Sequence, residues 1–237
     1  MIQHLLNWIR MPSAPHPRPR GPKPTRVDPD QILDAAQAVF AQDGLRAASL
    51  RAIARHAGCD PALIYYHFDS KEALFEALLG RRFPGVLREV KELSDDRDLR
   101  PASTRLWDVL LIYHRHLKDD PGIRSMIRGE IVRGAEGLTH LIEEQIRPIT
   151  TCVRRIVEQG MARGELRPDL QPLLVTFFLV KMQLEILDVL PVVLPRLMDL
   201  PPDEAVRIGM KTWFDLFWRG VALDPSAPLP SLPDPVV

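Results

Sequence analysis

Residues 49–71 constrain this chain most, because they spell two short helices joined by a tight turn. Ser49 can cap the first helix by accepting an orphan backbone N–H. Leu50, Ile53, Ala54 and Ala57 then fall at helical spacing and form an inward stripe. Gly58 follows that stripe, where a left-handed residue is needed to turn the chain. Asp60 can cap the second helix, and Pro61 fits its first position. Ile64 and Phe68, four apart, face inward. Leu63, Tyr65, Tyr66 and His67 remain to be divided between core and outside.

The flanking residues extend the helical pattern. Asp28 is a good cap, Pro29 suits a first turn, and Gln31 can complete a capping box. Ile32, Ala35, Ala36, Val39 and Phe40 then make one apolar face, and Gly44 ends the helix. Asp69 or Ser70 caps a fourth helix whose buried stripe is Leu74, Phe75, Leu78, Leu79 and Phe83, with Pro84-Gly85 expected to kink or end it.

Beyond residue 86 the texture stays helical. Trp107, Leu110, Leu111, His114 and Leu117 mark one helix, and Asp120-Pro121 starts another through Met126 and Ile127. A long helical region from Leu138 to Arg163 should kink at Pro148 and break at Gly164. Asp169 is expected to start a helix rich in Leu173, Leu174, Phe177, Phe178, Leu184 and Leu187. Asp203 is expected to cap a last helix carrying Val206, Trp213, Phe214, Phe217, Trp218 and Val221. These last two carry more apolar surface than one face needs, so they are either deeply buried or shared with a partner. No segment alternates for long like a strand, so the fold class is all-α.

The ends differ from the body. Residues 1–27 hold prolines at 12, 15, 17, 19, 22 and 24, with Arg10, Arg18, Arg20, Lys23 and Arg26 and no acid. Such a stretch reads as a flexible basic arm suited to phosphate or minor-groove contact, or else as a solvated tail. Residues 224–237, with prolines at 225, 228, 230, 233 and 235, read as a disordered tail. Met1 and Met11 are alternative starts, and residues 1–11 do not make a convincing signal peptide. The longest oily run, Pro172 to Val180, stops at Lys181, well short of the ~18 residues a membrane span needs.

Composition narrows the partners. The formal net charge is +0, so no global basic coat is available for nucleic acid; a local stripe would have to neutralise phosphates. Cys59 and Cys152 lie far apart and make no C-x-x-C pair, which fits a reducing cytoplasm. No G-x-G-x-x-G, Walker loop, G-x-S-x-G or H-E-x-x-H occurs. His114 and His116, two apart on a helix, do not share a face and so do not form a metal pair with Glu130. No catalytic residue, metal or cofactor is expected.

The run Ala57-Gly58-Cys59-Asp60, then Leu63-Ile64-Tyr65-Tyr66-His67-Phe68, then Ser70-Lys71-Glu72, resembles the DNA-binding signature of TetR-family transcriptional regulators over roughly residues 28 to 80. The resemblance implies a three-helix DNA-binding domain with its helix-turn-helix in 28–83, followed by a helical ligand-binding and dimerisation domain in 84–223. It implies that the second helix of the motif enters the major groove. By position, Arg51 falls where a base-reading or phosphate-binding side chain occurs. Pro61, Ala62, Leu63 and Tyr65 open the recognition helix, while Tyr66, His67, Lys71 and Ser49 hold phosphates, with Arg26 reaching from the arm. The commoner pattern has glycine and a hydroxyl residue where this chain has Ala62 and Leu63, which leaves either apolar contact with thymine methyls or, for Leu63, packing inward.

The same resemblance implies a homodimer on a roughly palindromic operator, joined through Phe177, Leu184, Leu187, Trp213, Phe214, Phe217 and Trp218. Candidate linings for a small-molecule effector are Trp107, Tyr113, His114, Met126, Phe178 and Met182, each of which could equally be core. The reading is a cytoplasmic, ligand-released repressor. A helical ligand-binding protein without operator binding, or a small helical enzyme, are the alternatives.

Overall fold

Helix α1 (Pro29–Ala47) is set by its first turn, where Asp28 accepts from the Asp30 N–H at 3.1 Å and Gln31 returns the favour to the Asp28 N–H at 3.0 Å. The computed structural model describes residues 27–81, 83–132, 134 and 138–235, so the proline-rich arm with Arg26 lies outside the described residues. The expected stripe of Ile32, Ala35, Ala36, Val39 and Phe40 is buried. Gly44 breaks the helix as expected, at φ 73°. Helices α2 (Leu50–Ala57), α3 (Pro61–His67) and α4 (Lys71–Gly80) complete the N-terminal unit, with Phe40 and Phe75 meeting edge-on at 5.2 Å across α1 and α4.

The join to the remainder falls upstream of where the sequence suggested. Pro84-Gly85 does not end a helix: α5 (Phe83–Leu93) begins there, because a proline in a first turn gives up an N–H that has no partner anyway. Gly85 serves close packing, since a Cβ there would lie 2.6 Å from Cε1 of His116 on α6 (Ala102–Leu117). Helices α5, α6 and α9 (Arg147–Ala162) pack together around Leu106, Leu110, Val153 and Ile156.

Helix α7 (Pro121–Val132) belongs to both halves of the molecule. It packs on α1, and the Gln37 side-chain amide donates to Asp120 Oδ1 at 2.6 Å. Asp120 also caps α7 through the Ile123 N–H at 3.3 Å. Before α9 come one turn, α8 (Thr139–Leu141), and a π-helical segment Ile142–Ile146. That segment is the physical form of the expected kink: Pro148 has no N–H for the carbonyl four residues back, and the register slips just ahead of it.

Helix α10 (Pro172–Met198) starts at Gln171-Pro172, not Asp169, and runs on through Pro191 and Pro195. Helix α11 (Pro202–Val221) is capped by no side chain; Asp203 sits inside its first turn, where a carboxylate favours the helix dipole. The two helices pack closely at Gly209, where a Cβ would come 2.0 Å from Leu190 Cδ1. Among the described residues no helix is long and apolar enough to cross a membrane.

The C-terminal segment is laid against the body instead of trailing from it. Trp107 is fully buried, and its indole N–H donates to the Pro233 carbonyl at 3.0 Å. Leu229 and Leu232 pack on the core, and Lys211 pairs with Asp234. Leucines between the prolines, not the prolines themselves, hold the segment down, and the Pro233 carbonyl satisfies a buried donor.

Candidate nucleic-acid interface and effector cavity

The α2–α3 corner is fixed by three local devices. Ser49 accepts from the Ala52 N–H at 3.1 Å, Gly58 turns the chain at φ 67°, and Asp60 accepts from the Ala62 N–H at 2.8 Å. Ile53 and Ile64 are fully buried, which fixes the rotation of both helices. The opposite face of α3 is therefore presented to solvent. Tyr65 is 61% exposed and Tyr66 83% exposed, with Ala62 exposed between Pro61 and the half-buried Leu63. The corner thus presents large aromatic side chains to solvent on a helix whose rotation the core fixes.

The other sequence candidates divide. Arg51 is exposed on α2, and Arg55, four residues on, shares its face; the i,i+4 spacing was the available signal for Arg55. His67 is half-buried, with its ring edge-on to Tyr66 at 5.0 Å. Lys71 differs from the expectation of a free phosphate-holder. Its Nζ donates to the carbonyls of Arg46 and Ala48, both at 3.1 Å, tying the start of α4 to the end of α1. One N–H of the ammonium is left for any other acceptor.

A cavity of about 310 Å³ lies between α7, α9 and α10. Its walls are mainly apolar, including Phe83, Leu117, Ile127, Val180 and Leu184, and exposed Ile131, Val132 and Phe177 stand at its rim. Of the six residues proposed for the lining, Tyr113 is in place. Burial pushes its hydroxyl above its ordinary pKa, so it stays a donor, and it makes no hydrogen bond among the described residues.

The other five fall elsewhere. Trp107 packs in the core on Phe214, with ring centroids 5.2 Å apart. Met126 and His114 are buried outside the cavity wall, and Phe178 and Met182 point to solvent from α10. Each sits on a helix that contributes to the wall, one or two positions out of register with the face that does.

One end of the cavity is charged. The Arg124 guanidinium, with its side chain 6% exposed, reaches Asp188 Oδ1 at 2.6 Å and also bonds the Leu117 and Lys118 carbonyls. Arg128 pairs with the other oxygen of Asp188. Lys181 bonds Glu185 at 2.5 Å. Burial pulls the Arg124 pKa below its usual value, against Asp120 and Asp119, which push it up.

The proposed dimer residues also divide. Phe214 is fully buried in the protomer, and Trp218 and Leu187 are nearly so, because the inner faces of α10 and α11 need them against α6. Phe177 and Leu184 line the cavity. Trp213 and Phe217 are half-buried and stacked at 5.2 Å. The outward apolar surface of these two helices includes Leu174, Phe177, Phe178, Met182 and Val192 on α10 and Leu216 on α11.

Comparison with known proteins gives three kinds of likeness. Residues 32–78, which hold the whole α2–α3 corner, match the model for bacterial regulatory proteins of the tetR family. The chain is 24% identical over 150 residues to the HTH-type transcriptional regulator UidR of Escherichia coli K12, covering 62% of this chain and 72% of that one. It is 29% identical over 146 residues to the HTH-type transcriptional repressor NicS of Pseudomonas putida, covering 60% and 66%. In fold it resembles the transcriptional regulator FadR of Bacillus subtilis, solved in complex with stearoyl-CoA. The TM-score is 0.65 at 20% identity, over 81% of this chain and 99% of that one.

Proposed function

The chain belongs to the tetR family of bacterial regulatory proteins, and we propose that it is a dimeric, operator-binding repressor released by a small molecule held between α7, α9 and α10. The observation that carries this reading is the double engagement of α7. The helix contributes Arg124, Ile127 and Arg128 to the cavity and is bonded to α1 of the DNA-binding unit through Asp120 and Gln37. A ligand that moves α7 would act on α1, which packs on the helix-turn-helix, so the two sites share one element.

Dimerisation is supported by the outward face of α10 and α11. Phe178 (60% exposed), Leu174, Met182 and Leu216 make a run of apolar side chains that a monomer would leave wet. A two-fold pair through this face would carry two copies of α3 to half-sites about one helical turn of DNA apart. Release, as opposed to recruitment, is supported by the repressor among the relatives.

The direct test is a gel shift with DNA from upstream of the protein's own coding sequence, read across salt concentration. Two protomers should bind one roughly palindromic site, with affinity falling steeply as salt rises. Binding without sequence preference would remove the operator reading.

A further inference from the structure

We propose that the cavity takes a monoanionic amphiphile, with its apolar body among Leu117, Ile127, Val180 and Leu184 and its acid head at Arg128. The inference rests on the reading of this cavity as an effector site and adds the chemical class of the effector.

The argument is one of charge and unused donors. The polar end of the cavity brings together Arg124, Arg128 and Lys181 with Asp188 and Glu185, three cations against two carboxylates. Asp188 is shared by both guanidiniums, while Lys181 and Glu185 satisfy each other. Asp119 and Asp120 also act on Arg124 from outside the lining, so what the cavity itself offers is the half-exposed guanidinium of Arg128, which shares its carboxylate with Arg124. Arg124 is buried and its donors are taken up by Asp188 and by main-chain carbonyls of two helices. Arg128 is the more exposed of the two. Its side chain is 47% exposed, and only one of its nitrogens has a hydrogen-bond partner among the described residues. A guanidinium has five donors in a planar fork, which matches two carboxylate oxygens.

The alternatives fit worse. A cationic ligand would have to take Asp188 or Glu185 from its present partner, and losing Asp188 would strip the buried Arg124 of its carboxylate. A neutral ligand would leave the second arm of the Arg128 fork without an anionic partner. Tyr113 and Thr150 add hydroxyls to the lining that make no hydrogen bond among the described residues, so they are available to a second acceptor on the ligand.

The test uses the full chain and three probes that share one ten-carbon tail: decanoate, decanamide and decylammonium. Titration calorimetry on the parent should give one decanoate per protomer, bound about ten- to a hundred-fold more tightly than decanamide, the range expected for hydrogen bonds to a charged group. Arg128→Gln, a change at a half-exposed side chain, should erase that preference, so that the variant binds decanoate and decanamide alike. Equal affinities for decanoate and decanamide in the parent, or tighter binding of decylammonium, would overturn the anionic assignment while leaving the cavity as an effector site. A preference for decanoate that survives Arg128→Gln would overturn the placement of the head. If none of the three binds, the effector cavity falls, and the anionic assignment with it.

Discussion

Replacing Phe214 with alanine tests which aromatic face holds the protomer together and which meets a partner. The ring is fully buried, 5.2 Å from Trp107 and 6.4 Å from Trp218 between centroids. Truncating a buried phenylalanine costs about 3–5 kcal/mol, and contact with two indoles places this one toward the upper end. For a chain of this size each kcal/mol is worth about 2–4 °C, so the midpoint should fall by roughly 6–20 °C. The assay is thermal unfolding followed by tryptophan fluorescence, at two protomer concentrations tenfold apart, because dimer stability depends on concentration. Phe178→Ala, at a side chain 60% exposed on α10, is the control. It should weaken association and leave the concentration-independent part of the stability unchanged. The reasoning is refuted if Phe214→Ala unfolds within about 1 kcal/mol of the parent while Phe178→Ala loses several.

Three further outcomes are expected. Arg51→Ala should cost about 1–3 kcal/mol at particular operator base pairs, seen as relaxed discrimination in binding to single-base variants of the site; discrimination unchanged from the parent would place Arg51 off the bases. Gln37→Leu removes a charge-assisted bond worth about 1.5–3 kcal/mol and should shrink the factor by which decanoate shifts operator affinity in an anisotropy titration; an unchanged factor takes α7 out of the route. His114 is buried with Nδ1 unpartnered, and burial first, then the nearby Lys118 charge, hold its pKa below the usual 6.5. The unfolded chain then takes up the proton first, so stability should fall as pH drops below 6.5 and level off under the folded pKa. His114→Gln should flatten that part of the profile, and an unaltered slope would assign it to other groups.

The N-terminal unit was legible because its signals are local. Caps, a glycine turn and an i,i+3,i+4 stripe lie within a few residues of one another, and each acts through contacts of that range, as at Asp28, Ser49, Gly58 and Asp60. The C-terminal half was legible as helices but not as faces. Helix α10 is apolar on nearly every side, so periodicity gives no direction, and Phe177 and Phe178 are adjacent in sequence yet divide between cavity rim and outer surface. Lys71 shows a related blind spot: its partners are main-chain carbonyls of Arg46 and Ala48, which no side-chain pattern announces.

The charged end of the cavity was missed for a further reason. Arg124 and Arg128 stand four apart on α7 and look like one flank of a solvated helix. Their meaning comes from Asp188, some sixty residues on, which chain folding brings under both of them. Buried charge is costly enough that such a cluster persists only where the surrounding structure holds it in place. Here Arg124 is braced by α6 carbonyls and α10 together, on the same helix whose first residues rest on α1. The residues that set what the cavity can bind are thus carried by the element that supports the DNA-binding unit. On the proposed function, ligand choice and release would both follow from how α7 is held.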